Sequence, residues 1–347
     1  MDEKNNAKKT HNTKWVLSID GGGVRGLFSS ILITKIEKQL GVSCCQLFDL
    51  VVGVSVGGLI AMSIGQEKIC PPKKSLTSLF KRENLKRIFN KSCWDKIMPV
   101  QIEPKYDGKG KKEVLKEHLL TKHFGDVSTN IAVLAFDIYN EKPRTFRSWD
   151  EEDYYLNPCE IADATSAAPT YFPCTEVNKI WYVDGGVFAN NPCLVALQEA
   201  QALWGKDADI RILSVGTGHV RSHHIDGDEA EDWGLPRWLY YGLVDILMDA
   251  PIDAMYNYCK FALPKGSLLR LNGVVTGEKI DDTSEEYRKN LEVSAKKVYQ
   301  ENQHNIADFF NDFSLDEHDI CLCENESATG FKFKKPKKPK KYKCELL

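Results

Sequence analysis

The sequence predicts an α/β fold built on a mainly parallel central sheet, and three features of the chain carry that expectation. Trp15–Ile19 is a short apolar run that leads straight into the glycine-rich stretch Asp20–Gly26. Beyond it Leu27, Phe28, Ile31, Leu32, Ile36 and Leu40 recur at helical spacing until Gly41. A second apolar run, Leu50–Val52, enters the turn Gly53-x-Ser55-x-Gly57, and the apolar stretch Leu59–Ile64 leaves it before Gly65. Farther on, Ile210–Val215 is closed by Gly216, Thr217 and Gly218 in the same strand-then-glycine manner. Successive strand–turn–helix units joined by right-handed crossovers give parallel strands whose loops gather on one edge.

The remaining elements follow in order. Residues 72–98 carry Leu76, Leu79, Phe80, Leu85, Ile88 and Phe89 among lysines and arginines, the pattern of an amphipathic helix. Gln101–Lys112 is polar and contains glycine, so it reads as a surface loop near the edge where the glycine turns gather, with a helix following over Glu113–Phe124. Ile131–Phe136 reads as a strand that can pair with Arg144–Ser148 across a turn at Asn140–Pro143. Asn157 before Pro158 and Asn191 before Pro192 are two helix starts, each with a capping side chain and proline in the first turn. Between them Ile180–Val183 is a short strand ending in Asp184, Gly185 and Gly186. Leu235–Met248 reads as one apolar-rich helix and Ser284–Phe313 as a long, mostly amphipathic helical region. Residues 1–13 read as a disordered tail, 14–315 as one folded domain, and 316–347 as a C-terminal segment ending in a lysine- and proline-rich tail that cannot pack a core.

Composition narrows the function classes. A net charge of −3 over 347 residues commits the molecule to no nucleic-acid partner. The 11 cysteines are odd in number, and several fall in apolar or helical stretches, which suits buried thiols in a reducing compartment. Met1–Lys14 has no apolar signal core, and no run reaches the length of a membrane span. The chain therefore reads as cytoplasmic, with any membrane contact peripheral.

Ser55 is the first candidate for chemistry. Bare residues on both sides, Gly53 and Gly57, let strand and helix pass in contact and leave one hydroxyl at the tip of the turn, as a serine nucleophile is presented. The competing reading is a glycine-rich turn whose serine caps the helix. The loop Gly21–Gly26 also fits a dinucleotide fingerprint, but the acidic residue expected at the end of the second strand is absent, and Asp20 would face the pyrophosphate. A structural turn or a site for a smaller anion remains. In the latter, the amides of consecutive glycines and the helix start hold an oxyanion, each donor contributing about 3 to 4 kcal/mol to the barrier. For a proton acceptor, His219 just after Gly218 competes with Asp184, which ends a strand and is followed by two glycines.

Asp20–Gly26, Gly53–Gly57, Asp163–Pro173, Asp184–Gly186 and Ser214–Gly218 occur in this order, and together they resemble the patatin-like phospholipase family over residues 15–218. The resemblance implies a three-layer α/β/α sandwich and metal-free hydrolysis of acyl esters in membrane phospholipids, with no cofactor. It further implies a dyad of Ser55 as nucleophile and Asp184 as base. The amides of Gly21, Gly22 and Gly23 near Arg25 would form the oxyanion hole, with Gly26, Gly185 and Gly186 in support. The alternatives are a Ser-His-Asp esterase using His219, and a silent lipid-binding or storage protein of the same fold.

Other signals divide between two readings. Arg25 can hold a lipid phosphate or cover the glycine loop. The cluster Trp233, Leu235, Trp238, Leu239, Tyr240 and Tyr241 suits core packing or an acyl-chain wall. His223, His224, Asp226, Asp228 and Glu229 include metal-ligand types at no recognisable spacing, as do His318, Cys321 and Cys323. The lysine tail can serve as a solubility tail, an address signal or a contact for anionic lipid. If it is the last, removing residues 331–347 should weaken sedimentation with anionic vesicles at low salt, by about 1 kcal/mol for each charge that reaches the surface. Binding that ignores both salt and the deletion would rule that role out.

Overall fold

The computed structural model describes residues 13–66, 75–90, 103–220, 225–276 and 279–313. The N-terminal tail up to residue 12, the lysine-rich segment and the His223–His224 pair lie outside the described residues. β1 (Lys14–Ile19) leads through a 3-10 turn at Gly23–Arg25 into α1 (Gly26–Leu40). Gly41, in the left-handed region at φ 69°, ends that helix. After α2 (Cys44–Leu47), β2 (Leu50–Val54) is separated from α3 (Val56–Gly65) by Ser55 alone. α4 (Arg82–Ile88) and α5 (Lys109–His118) follow, then the hairpin of β3 (Asn130–Asp137) and β4 (Lys142–Arg147). α6 (Pro158–Thr165) is capped by Asn157, whose side chain accepts the Cys159 amide at 2.9 Å. β5 (Thr175–Val177), β6 (Ile180–Asp184), α7 (Gly186–Ala189), α8 (Cys193–Trp204), β7 (Ile210–Val215) and β8 (His219–Val220) come next. The chain continues through α9 (Gly227–Ala230), α10 (Leu235–Tyr240), α11 (Leu243–Asp249), α12 (Pro251–Ala262), β9 (Leu268–Leu271), β10 (Val274–Val275) and α13 (Glu285–Phe309).

β3, β2, β1, β7 and β9 run parallel in that order, the mainly parallel sheet expected, and β8 pairs with β10 in a small second sheet. Every residue of β2 is buried, because helices cover both faces. On one face Val16, Val52, Ala132 and Ile212 pack with Ala196, Leu197 and Ala200 of α8, and Cys259 of α12 joins them. On the other, α3 lies over β2 and β3. There α13 reaches Trp15, whose ring stacks on Phe310 at 4.8 Å and meets Phe309 edge-on at 5.5 Å. The result is the three-layer α/β/α sandwich.

The edge of β3 is shared in a way that the sequence does not announce. β4 occupies all of one side, from Ala132 to Asp137. On the other side β2 pairs in parallel as far as Val54 opposite Leu134, and β6 pairs antiparallel from Asp184 opposite Ala135. β2 and β6 thus meet end to end.

Three sequence expectations need correction. The stretch 72–98 is no single helix: its described part is a 3-10 turn at Leu76–Phe80 and the separate α4, divided at Lys81, which is extended. The loop expected over 101–112 gives way to α5 at Lys109, because the Asp107 side chain accepts the Lys109 amide at 2.9 Å and starts the helix early. The helix expected at Leu235–Met248 is two, broken at Gly242 with φ 85°. The short strand expected before Asp184 is present as β6, antiparallel to β3, and β5 beside it is too short to register as a strand in the sequence.

The turn between β2 and α3 is closed by contact. A Cβ at Gly57 would overlap the carbonyl oxygen of Ile19, and one at Gly53 would overlap that of Gly57. Gly57→Ala should therefore cost about 3 kcal/mol or more in urea unfolding. Gly227→Ala, where a Cβ would meet nothing within 4 Å, should change stability by less than about 0.5 kcal/mol.

Candidate active site

Ser55 stands where β2 stops and α3 starts, with φ 55° and ψ −129°, a region that L-residues avoid. Strain of this kind persists only where neighbours hold it. Its amide donates to Thr165 Oγ1 at 2.9 Å, and Thr165 in turn donates to the carbonyl of Leu134 at 2.5 Å. The end of α6 is thereby tied to the turn and to β3. Ser55 is 7% exposed and lines a cleft whose wall also includes Asp184.

Asp184 reaches the same level because β6 ends where β2 ends. Its amide donates to Ala167 O at 3.0 Å, and its Oδ1 accepts the Gly186 amide at 2.8 Å. A Cβ at Gly185 would lie 2.6 Å from Leu134 O, so the chain passes β3 too closely for a side chain there. Gly186 leaves room for Met248 in the same manner. The Asp184 carboxyl is fully buried, and Oδ2 meets no donor among the described residues. Burial pushes its pKa up from the ordinary 3.8 to about 6, against the opposing pull of the Ser55 hydroxyl, the Gly186 amide and the Lys111 charge. The Ser55 hydroxyl is near enough to favour the carboxylate, yet no hydrogen bond of normal geometry joins the two. Such bonds are often long before substrate arrives.

The glycine loop lies beside them. A Cβ at Gly21 would come 3.1 Å from Ser55 Cβ, while one at Gly26 would strike Val56. The Gly21 amide, expected in the oxyanion hole, is instead given to the carbonyl of Asn190 at 3.0 Å. Val24 donates to Ile280 O at 2.8 Å. The amides of Gly22 and Gly23, both in the cleft wall, meet no acceptor among the described residues. Asp20 anchors the loop from below: Arg270 grips it with Nη1 at 2.8 Å and Nη2 at 2.5 Å and also donates to Ser214 Oγ at 2.8 Å. Arg25 is buried in the cleft wall, donating to Gly218 O at 3.4 Å with Asp249 3.9 Å away.

Several polar residues at the site carried no sequence signal. Lys111, read as part of a surface loop, is buried in the cleft wall. Its ammonium pairs with Asp163 Oδ1 at 2.9 Å and donates to the carbonyls of Asp163 and Ser166. Burial lowers its pKa, and Asp163 opposes that shift. Only the Asp163–Pro173 motif hinted at this region, and the 52-residue separation of the partners hid the pair. Asn190 sends Nδ2 to Asp249 at 3.2 Å, and its Oδ1 meets no donor among the described residues. Opposite the polar groups the wall is apolar, with Leu59, Leu79, Phe80, Ile88, Phe89 and Phe172.

His219, the rival base, is exposed on β8, and no histidine among the described residues lines the cleft. No group of possible metal ligands occurs among the described residues, and none of their helices is long and apolar enough to cross a membrane. Of the aromatic cluster, Trp233 is buried and stacks on Tyr241 at 4.2 Å, whereas Leu235, Leu239 and Tyr240 are exposed. It is part core and part surface.

An apolar cleft with a hydroxyl and a buried carboxylate at its polar end is suited to ester hydrolysis of a lipid. The chain belongs to the patatin-like phospholipase family, which matches residues 17–197, and its class is that of lipid acyl hydrolases. A cGAMP-activated phospholipase of Pseudomonas aeruginosa is 30% identical over 258 residues, 72% of this chain and 76% of that protein. Patatin-like protein 2 of Arabidopsis thaliana is 29% identical over 297 residues, 73% of this chain and 72% of the other. The solved structure of VipD from Legionella pneumophila aligns over 83% of this chain and 67% of that one, at 13% identity and a TM-score of 0.38.

The raised Asp184 pKa has a consequence for stability. Between 3.8 and about 6 the unfolded chain ionises this carboxyl while the folded chain keeps it protonated, so its contribution to stability is lost as pH rises through that window. Asp184→Asn should accordingly raise stability at pH 7.5 by about 2 to 3 kcal/mol in urea unfolding, with the gain shrinking below about pH 5.

Proposed function

We propose that this protein hydrolyses fatty acyl esters of membrane glycerophospholipids through Ser55 and Asp184. The observation that carries the reading is the buried Asp184 Oδ2, without a donor, in the same cleft as a strained serine. Asp184 takes the Ser55 proton as Oγ attacks the ester carbonyl carbon, and the carbonyl electron pair becomes an oxyanion held by the Gly22 and Gly23 amides. Collapse expels the lyso-lipid alkoxide, which receives the proton from Asp184. A water then gives its proton to Asp184 and attacks the acyl carbon, and collapse breaks the bond to Ser55 Oγ, which takes that proton back from Asp184 as the fatty acid leaves. The apolar wall supports a long acyl chain as the group transferred, and the buried guanidinium of Arg25 supports an anionic head group at the polar end.

Fatty-acid release from mixed phospholipid vesicles tests this, with folding checked by circular dichroism. Two relatives are named as cGAMP-activated, so the assay is run with and without that nucleotide. Ser55→Ala should lose at least ~10³-fold and Asp184→Asn ~10²- to 10⁴-fold, while His219→Ala stays within about twofold of wild type. A fluorophosphonate should label wild type at Ser55. The kcat/KM of wild type should climb as pH rises through about 6, following ionisation of the base. Full activity in a folded Asp184→Asn would remove the dyad.

A further inference from the structure

We propose that Asp281 is a positioning residue for the oxyanion-binding amides, an inference that rests on the proposed hydrolysis. The loop that carries Gly22 and Gly23 leaves two N–H groups without acceptors among the described residues, an arrangement that a mobile loop would relax by turning them toward nearby carbonyls. It is prevented from doing so by ties on both sides. On one, Gly21 donates to Asn190 O at 3.0 Å and accepts from Thr217 Oγ1 at 2.8 Å. On the other, Val24 donates to Ile280 O at 2.8 Å. The Ile280 carbonyl is pressed so close that a Cβ at Gly23 would overlap it, and Gly23 itself takes φ 57°.

Ile280 lies in neither helix nor strand, so its carbonyl needs another anchor. The next residue supplies it. Asp281 is 8% exposed, and its Oδ2 accepts the Tyr106 hydroxyl at 2.6 Å and the Lys105 ammonium. Those two donors are fixed in turn. The Lys105 amide donates to Thr170 O at 3.0 Å and the Tyr106 amide to Tyr171 O at 2.9 Å, while the Tyr106 ring packs on Phe89 and Phe172 at 5.3 and 5.4 Å. Phe89 and Phe172 belong to the apolar wall of the cleft. Three residues on, the Ser284 side chain caps α13, which packs along α1. Asp281 therefore joins the wall that would hold the acyl chain to the loop that would hold the oxyanion, without facing the reacting atoms itself. Its loss should let the Ile280 carbonyl drift and the Gly22 and Gly23 amides turn from their common target. Removing one well-placed donor outright lowers kcat by ~10² to 10³, so misplacing the pair should cost part of that.

The test compares wild type, Asp281→Asn and Tyr106→Phe, the second keeping the packed ring while deleting only the hydroxyl. In Asp281→Asn, kcat on phospholipid vesicles should fall about tenfold with KM within about twofold. In Tyr106→Phe it should fall about threefold in the same pattern. Two inhibitors of one alkyl chain length separate positioning from general damage. A trifluoromethyl ketone adds Ser55 Oγ at its carbonyl carbon, passes the proton to Asp184 and leaves an oxyanion on the former carbonyl oxygen. The methyl ketone only fills the cleft. Affinity for the first should drop by the same factor as kcat, and affinity for the second should stay within about twofold. Equal losses for both ketones, or an unchanged kcat in both folded variants, would overturn the proposal. A wild type without Ser55-dependent hydrolysis, with or without cGAMP, would instead overturn the parent reading and this one with it.

Discussion

The site depends on one strand edge that two other strands divide. β2 climbs the side of β3 from one end and β6 descends it from the other, so Val54 faces Leu134 and Asp184 faces the next residue, Ala135. The meeting of the two strand ends brings Ser55 and Asp184 to one level with no loop needed to carry either. Register makes the arrangement strict: a slip of one residue in either strand turns its side chains to the opposite face. Gly185, passing 2.6 Å from Leu134 O were it given a Cβ, and the Thr165 bridge from Ser55 to Leu134 both fasten to the same residue of β3. Leu134 is the hub of the junction through its backbone alone.

Charge is distributed around this junction by a simple rule. Asp20 and Arg270 are buried together, as are Lys111 and Asp163, so each charge has a partner close by. Asp184 is the exception. It has one amide on Oδ1 and nothing on Oδ2, with Lys111 acting only through space. A carboxylate so placed is a better base than a paired one, since a close cation would hold it ionised and make it reluctant to take a proton. The pairs nearby therefore serve a second purpose. By neutralising each other they leave the field at Asp184 set mainly by burial.

Much of this was legible in the sequence, and the unread part has physical causes. Ser55 and the glycines around it announce themselves because close backbone approach demands bare residues at fixed spacing. The parallel core was legible because apolar runs and glycine turns alternate. The direction of β6 was not, since five residues ending in aspartate and glycine look the same in either orientation. Lys111 was read as exposed because a lysine among lysines has no apolar periodicity, and its partner Asp163 lies far along the chain. The Gly21 amide was assigned with its neighbours because the sequence cannot tell which of three successive amides a distant carbonyl will claim. Asp281 and Arg270 fall in the region where no motif was recognised, and each acts by reaching back across the fold.

That last point bears on the order in which the protein is made. Ser55, Asp184 and the glycine loop all lie in the first part of the chain, but Asp20 is held by a guanidinium 250 residues farther on, and Val24 by the carbonyl of Ile280. At a synthesis rate of ~5 to 20 residues per second, a nascent chain carries Ser55 and Asp184 for several seconds before the parts that shape the glycine loop emerge. A growing polypeptide therefore holds the reactive groups while lacking the frame that would make them hydrolytic. Completion of the chain thus sets the moment at which the cleft acquires its final shape.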